Sequence, residues 1–236
     1  MTMANPSESQ SVFTKLVDTG AHQKLLAFAS LIILLIGFSI ASSNFMQTSN
    51  MIAILQATSV NGVLAVAATL VIITGGIDLS VGTMMTFCAV IAGVVLTNMG
   101  LPLPVGIVAA IAAGAFCGLC SGTFVAKMKI PPFIATLGMM LILKGLALVI
   151  SGTRPIYFNN TPGFDAISLG SVIGDVFPAL PIPNGVLILF LVAGGTAWIL
   201  NRTVLGRYCF ALGSNEEAVR LSGVNTDRWT IAIYAM

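Results

Sequence analysis

Apolar residues run through this chain in long blocks, not in the alternation of a half-buried strand or the narrow stripe of a surface helix. The blocks lie near residues 25–44, 52–74, 83–99, 103–126, 131–150 and 184–200, and a further one begins at Trp229. Each approaches the roughly 17–25 apolar residues that a helix needs to cross a bilayer. Inside hydrocarbon every backbone polar group must find its partner within the segment, which a helix achieves by itself. The pattern therefore predicts an all-α, polytopic integral membrane protein with about six complete transmembrane helices and the start of a seventh.

The short segments between the blocks carry nearly all the charge. Lys127 and Lys129 share one connection, and Arg202, Arg207, Arg220 and Arg228 share another. The proline-rich stretch 151–183 holds Arg154, Asp165 and Asp175. Because basic connections stay in the cytoplasm, Lys15 and Lys24 place the tail 1–24 inside the cell. Alternate crossings by the membrane domain 25–236 then put 151–183 outside and 201–228 inside, so every basic cluster falls on the expected side. The first block, Leu25–Ala41, is longer than the roughly 7–15 residues of a signal-peptide core and is expected to remain as a membrane helix. Trp198 and Trp229 flank the last cytoplasmic segment, as interfacial aromatic residues do.

Composition agrees. Of the 236 residues 57% are hydrophobic and 8% charged, and the mean hydropathy is +1.01, whereas a soluble domain carries roughly 25% charged residues. A net charge of +2 with no basic run beyond Lys127–Lys129 argues against nucleic acid. The four cysteines, Cys88, Cys117, Cys120 and Cys209, mostly sit in apolar stretches and form no disulfide framework. Cys117-x-x-Cys120 has metal-site spacing but no second ligand pair, so no metal is expected. His22 is the one histidine and receives no role.

Gly106, Ala110, Gly114, Gly118 and Gly122 recur every four residues in the fourth block, which stacks them on one helix face. Small residues there let a second backbone approach, the main route by which membrane helices gain contact. Gln56 and Asn61 in the second block are expected to bond to neighbouring helices, and Lys144 in the fifth to snorkel to the interface.

Two segments could carry function. Gly75-Gly76-Ile77-Asp78-Leu79-Ser80-Val81-Gly82 interrupts an otherwise apolar stretch. A carboxylate at membrane depth costs about 2.5–3.5 kcal/mol on insertion scales, and broken backbone is tolerated there only inside protein or a wet cavity. Two readings stand: a tight cytoplasmic turn in which Asp78 caps the next helix, or a broken-helix element lining a pathway, with Gly75, Gly76, Asp78, Ser80 and Gly82 as its residues. In the second segment Ser214-x-x-Glu217 has the capping-box pattern. Glu216 and Arg220 are spaced to pair across one turn, and Gly223 is placed to stop the helix. So short a helix is unstable alone and needs something to dock on, through Ala218, Leu221 and Val224. That surface is either its own membrane domain or a partner.

The run at 75–82 resembles the signature of the ribose/arabinose/xylose-type ABC importer permeases. Further stretches resemble the same family in order: Ile130-Pro131-Pro132-Phe133-Ile134-Ala135-Thr136-Leu137-Gly138, then Thr203-Val204-Leu205-Gly206-Arg207, then Ala211-Leu212-Gly213-Ser214-Asn215-Glu216-Glu217-Ala218. Lys144 and Ser214 stand where that family usually has arginine and glycine. The resemblance implies a permease subunit, not itself an enzyme, in the bacterial cytoplasmic (inner) membrane, forming the pathway for a pentose-like sugar. It also implies a cytoplasmic ABC ATPase holding Mg-ATP, with no cofactor bound by this chain. A periplasmic or extracellular sugar-binding protein and a second permease copy or paralogue complete the expected assembly. The coupling residues it implies are Gly206, Arg207, Gly213, Asn215, Glu216, Glu217, Ala218, Leu221 and Gly223. Such permeases run longer, so it further implies a fragment or a truncated product. The rival expectations are a secondary transporter driven by proton or ion binding at Asp78, and a membrane partner that transports nothing.

Overall fold

The structure, a computed structural model, describes residues 21–158, 161–178 and 180–236. Among these the chain forms helices and no strand: α1 (Ala21–Ala41), α2 (Thr48–Ile73), α3 (Val81–Gly93), a π-helical turn (Val94–Asn98), α4 (Leu103–Ala126), α5 (Pro132–Ile150), α6 (Phe164–Ser168), α7 (Val172–Val176), α8 (Asn184–Arg202), α9 (Val204–Leu221) and α10 (Thr226–Tyr234). Six helices are long and apolar enough to cross a membrane: α1, α2, α3 with its π turn, α4, α5 and α8. They coincide with the six apolar blocks to within a few residues. The tail placed inside the cell by its lysines lies, through residue 20, outside the described residues.

The chain divides into two compact units, Met1–Ala53 and Ile54–Met236. In the first, no residue of Lys24–Ala41 is buried, and Ile33 and Ile40 are 68% and 82% exposed. A helix apolar on all sides requires an apolar solvent. Beyond it Phe38 and Phe45 stack at 5.5 Å, and Asn50 Nδ2 donates to the Phe45 carbonyl (2.7 Å), fastening the connection to the start of α2.

In the second unit α3, α4 and α5 share a core of Phe87, Cys117, Met139, Leu143 and Ala147. A second core joins the end of α2 to α9 and α10 through Leu70, Val71, Cys209, Leu212, Ile233 and Tyr234. Large apolar residues elsewhere, such as Ile111, Phe116 and Leu191, are open to the surroundings. Lipid is as apolar as leucine, so close contact rather than hydrophobic burial must hold the helices together.

The small-residue face of α4 supplies that contact, split between two partners. Gly106 and Gly114 meet the side chains of Leu96 and Cys88, whereas Gly118 and Gly122 meet the backbone of α10; a methyl on either would lie 2.8 Å from the Cα of Ala235 or Ile231 respectively.

α5 runs between two differently built ends. Pro131 and Pro132 open it, as proline suits a first helical turn. At its far end Gly152 (φ 59°) completes a Schellman cap, with Gly152 N–H donating to Val149 O (3.1 Å) and Thr153 N–H to Leu148 O (2.9 Å). The strap that follows contains the short helices α6 and α7. Asn184 secures both: Nδ2 donates to the Ala166 carbonyl (2.8 Å) and Oδ1 accepts from Val172 N–H (2.9 Å). Ser171 Oγ donates to the Ile182 carbonyl (2.7 Å).

Lys144 is exposed beside fully buried Leu143, which fits snorkelling. Gln56 and Asn61 depart from expectation: among the described residues neither side chain bonds to another helix, and Asn61 is exposed. In α2 the polar seam is instead made by Ser59, whose Oγ donates to the Gln56 carbonyl (2.7 Å) where Gly185 packs against it.

Candidate functional site

The interruption at 75–82 is a turn between α2 and α3, built by a helix cap and an Asx turn in succession. Gly75 N–H donates to Ile72 O (2.9 Å) and Gly76 N–H to Val71 O (3.1 Å). With Gly75 at φ 78°, this is a Schellman cap that closes α2, and the left-handed position requires glycine. Three residues after Gly75, Asp78 Oδ1 accepts from both Ser80 N–H (2.7 Å) and Ser80 Oγ (2.6 Å). A side-chain oxygen thus satisfies the N–H of Ser80, the residue before α3, in an Asx turn, while α3 itself carries no side-chain cap. Ser80 is fully buried, and its carbonyl accepts from Thr83 Oγ1 (2.9 Å). The geometry is that of a turn, but Asp78 holds the turn itself through Ser80 and does not cap α3 as expected.

Three other elements grip this turn. From α5, buried Thr136 has its Oγ1 hydroxyl within bonding reach of the Ile77 carbonyl (3.2 Å) as well as of Pro132 O in its own helix (2.8 Å). From α10, the Tyr234 hydroxyl abuts Gly76; a Cβ there would lie 2.7 Å from it. From α9, Gly213 rests on the end of α2: a methyl on Gly213 would stand 2.9 Å from the Ile73 carbonyl carbon and 3.3 Å from Thr74 Cα. Gly82, in contrast, faces open space, with no contact among the described residues that requires a glycine.

The structure thus brings the two sequence segments together through Gly213. α9 begins at Thr203, whose Oγ1 accepts from Gly206 N–H (3.3 Å). Gly206 is buried against the backbone of Leu200, and Arg207 is exposed. The helix breaks at Asn215, which adopts extended backbone (φ −163°, ψ 96°), and resumes with Asn215 Oδ1 accepting from Ala218 N–H (3.0 Å).

This corrects two expectations. The cap is Asn215 rather than Ser214, so the Ser214–Glu217 capping box does not form: Ser214 still belongs to the helical stretch that Gly213 seats on α2. The ion pair of Arg220 is with Glu217, three residues back, rather than with Glu216. Of the residues expected to dock, Ala218 is exposed, Leu221 is 80% exposed and Val224 is half-buried, while Val219 packs against this chain's own core. Gly223 does stop the helix, at φ 86°, with its N–H donating to Arg220 O (3.0 Å). Asn215, Glu216, Glu217, Ala218 and Leu221 all lie exposed. Arg220 holds the Glu217 carboxyl below its ordinary range, first by hydrogen bonding and then by its charge.

α10 is tied into the same end of the bundle. Asn225 Oδ1 caps it by accepting from Arg228 N–H (3.0 Å), and Lys129 in the α4–α5 connection pairs with Asp227 (2.9 Å). A groove of about 200 Å³ beside this pair is lined in part by Ile130, Pro132, Glu216 and Thr230. Sequence reasoning missed Thr136, Asp227 and Tyr234. Only Thr136 left a signal, as a hydroxyl one turn into a helix opened by two prolines. Among the described residues no cluster of three or more histidine, cysteine or acidic side chains could hold a metal ion.

The family profile described as "Branched-chain amino acid transport system / permease component" matches residues 50–236. The chain is 38% identical to the ribose import permease protein RbsC of Escherichia coli (strain K12) over 218 residues, covering 90% of this chain and 65% of that protein. It is 38% identical to the fructose import permease protein FrcC of Rhizobium meliloti, over 87% of this chain and 58% of that protein. To the xylose transport system permease protein XylH of Escherichia coli (strain K12) it is 27% identical, over 100% of this chain and 75% of that protein. The chain therefore spans about 65% of the length of the ribose permease. No solved structure matches it.

Proposed function

The chain belongs to the branched-chain amino acid transport system / permease component family, and on that premise we propose that it is a membrane-spanning permease subunit of an ATP-driven importer of a pentose-like sugar. It hydrolyses nothing itself. A cytoplasmic ABC ATPase supplies the energy, an external binding protein delivers the sugar to the strap at 151–183, and a second permease copy or paralogue completes the pathway. The chain sits in the bacterial cytoplasmic membrane with its N-terminus inside.

The observation that carries this reading is the seat of Gly213 on Ile73 and Thr74. From that contact α9 leads, across its break at Asn215, to the exposed residues Glu216, Ala218 and Leu221, a surface open to the ATPase. A displacement of those residues by nucleotide-driven closure acts directly on the turn at 75–82. Nucleotide binding then biases two states of the pathway, as it must if the two differ in free energy of interaction. Asp78 braces the turn, its Oδ1 occupied by Ser80, rather than serving as a free ion site.

The test is reconstitution. Uptake of D-ribose or D-xylose into proteoliposomes should require ATP, the ATPase and the binding protein, and should survive collapse of the proton gradient. Gradient-driven uptake by this chain alone would refute the proposal. Within the assembly, Glu216→Lys should weaken co-purification with the ATPase while leaving membrane insertion intact.

A further inference from the structure

Tyr234 is buried, at 6% exposure, yet its hydroxyl has no hydrogen-bond partner among the described residues. Buried hydroxyls almost always have one, because an unpaired donor in a low-dielectric interior is costly. The ring cannot easily turn away, since Gly118 and Gly122 hold the α10 backbone hard against α4, and the hydroxyl abuts Gly76. Two residues further along the same turn stands the complementary deficit. Asp78 directs one oxygen at Ser80, and its second oxygen receives no hydrogen bond among the described residues. A phenol without an acceptor and a carboxylate oxygen without a donor therefore lie at one turn, on elements that reach it from different parts of the chain.

We propose that Tyr234 is a positioning residue of the transport cycle, whose hydroxyl donates to the free oxygen of Asp78 in the alternate state and is left unpaired in the state described here. The inference rests on the transport reading and deepens it. A two-state element needs an interaction made in one state and absent from the other, and this bond meets that requirement. When α9 moves, Gly213 shifts the end of α2 and carries the 75–82 turn relative to α10. The helix itself stays anchored through Asp227 and Lys129. Tyr234 then rewards the displaced turn, and the bond to Ser80 preserves the Asx turn in both states.

The experiment uses the assembled transporter in proteoliposomes, with D-ribose and D-xylose as probes. Tyr234→Phe keeps the ring and removes only the hydroxyl. It should melt at or above the wild-type temperature, leave the KM for sugar-loaded binding protein unchanged, and lower maximal uptake at least tenfold. Asp78→Asn, which turns one oxygen into a donor, should lose uptake by a similar factor, and the double variant should be no worse than either single one. Full uptake by Tyr234→Phe overturns the proposal and marks the hydroxyl as bound only to a buried water. Losses that multiply in the double variant overturn it as well. Should Tyr234→Phe fail to fold, Asp78→Asn decides alone, and normal uptake by that variant overturns the idea. An assembled wild type that takes up no sugar defeats the transport reading itself, an outcome distinct from a wild type that works beside a variant that works equally well.

Discussion

The two ends of α5 mark two ways of holding a bundle together without a hydrophobic drive. At the end where Pro132 begins, helices meet through glycine against backbone: Gly118 and Gly122 on α10, Gly213 on the end of α2, Gly206 on Leu200. At the far end, glycines meet the tips of side chains instead, with Gly106 against Leu96, Gly93 against Ile156 and Phe158, and Gly62 against Leu189. Side-chain hydrogen bonds from Asn184 and Ser171 tie the strap down there. A backbone cannot step aside, whereas a leucine can change rotamer. The first end is therefore built to move as a unit, and the second to adjust locally.

The comparison breaks most visibly if a methyl is tolerated at the first end. Gly118→Ala puts a Cβ into the α10 backbone, and overpacking in a filled interior costs about 1–3 kcal/mol or more. That exceeds the roughly 1 kcal/mol by which alanine favours a helix over glycine. The expected result is a clear fall in melting temperature in detergent, and loss of the monodisperse species. Gly213→Ala, which meets the backbone at the end of α2 at least as closely, should also lower the melting temperature and, in the transporter that still assembles, separate ATP hydrolysis from uptake, because it lifts α9 from the turn. A wild-type melting curve for Gly118→Ala would remove the distinction between the two ends.

Next in size is the loss of Asn184. Asn184→Ala deletes two hydrogen bonds that hold α6 and α7, each worth about 0.5–1.5 kcal/mol net. The effect should stay local: faster amide exchange across 164–177, with α3–α5 unchanged. Global destabilisation would mean that the strap is part of the core and not a cover laid over it. Gly106→Ala, on the same end, is expected to be nearly neutral. Its Cβ would press on Leu96, with Cγ and Cδ2 both at 2.5 Å, but a change of the Leu96 rotamer relieves that at about the gain in helix propensity.

How much of this was legible beforehand differs between the same regions. Span positions were readable because long apolar runs admit no other solvent, and α4 occupies the very range 103–126 that its hydropathy indicated. The turn at 75–82 announced itself through Gly75 and Asp78, whose roles are local: a left-handed cap and a carboxylate two residues before the donor it accepts from. The small-residue face of α4 was visible as a face but not as a divided one, because its partners, α3 and α10, lie far apart in sequence. The cap at Asn215 was misread since Ser214 and Asn215 are both competent caps. The choice between them is made by Gly213, which stays helical to reach Ile73, a contact between residues 140 positions apart. Tyr234 gave no signal at all; an aromatic residue in an apolar run looks like any other until the fold seats it on Gly76.

The smallest expected effect sharpens the boundary of the rigid end. Residues 216–221 lie beyond Asn215, outside the glycine-to-backbone contacts, and are held by the Asn215 cap, the packing of Val219 and the exposed pair Glu217–Arg220. Arg220 lowers the titration of the Glu217 carboxyl. A group whose folded pKa lies below its unfolded value adds stability while it is ionised. That contribution is present at neutral pH, above the ordinary carboxylate value, and is lost as the pH falls through the lowered one. Both side chains are exposed, so salt should screen the pair. Amides of Ala218–Leu221 should therefore lose hydrogen-exchange protection, after correction for intrinsic rates, on acidification or in high salt. The amides around Gly118 should not respond. If the two sets respond together, the rigid end extends through Leu221 and α9 acts as one lever; if Ala218–Leu221 ignore acid altogether, the cap and Val219 alone hold the segment and Glu217 is free for a partner.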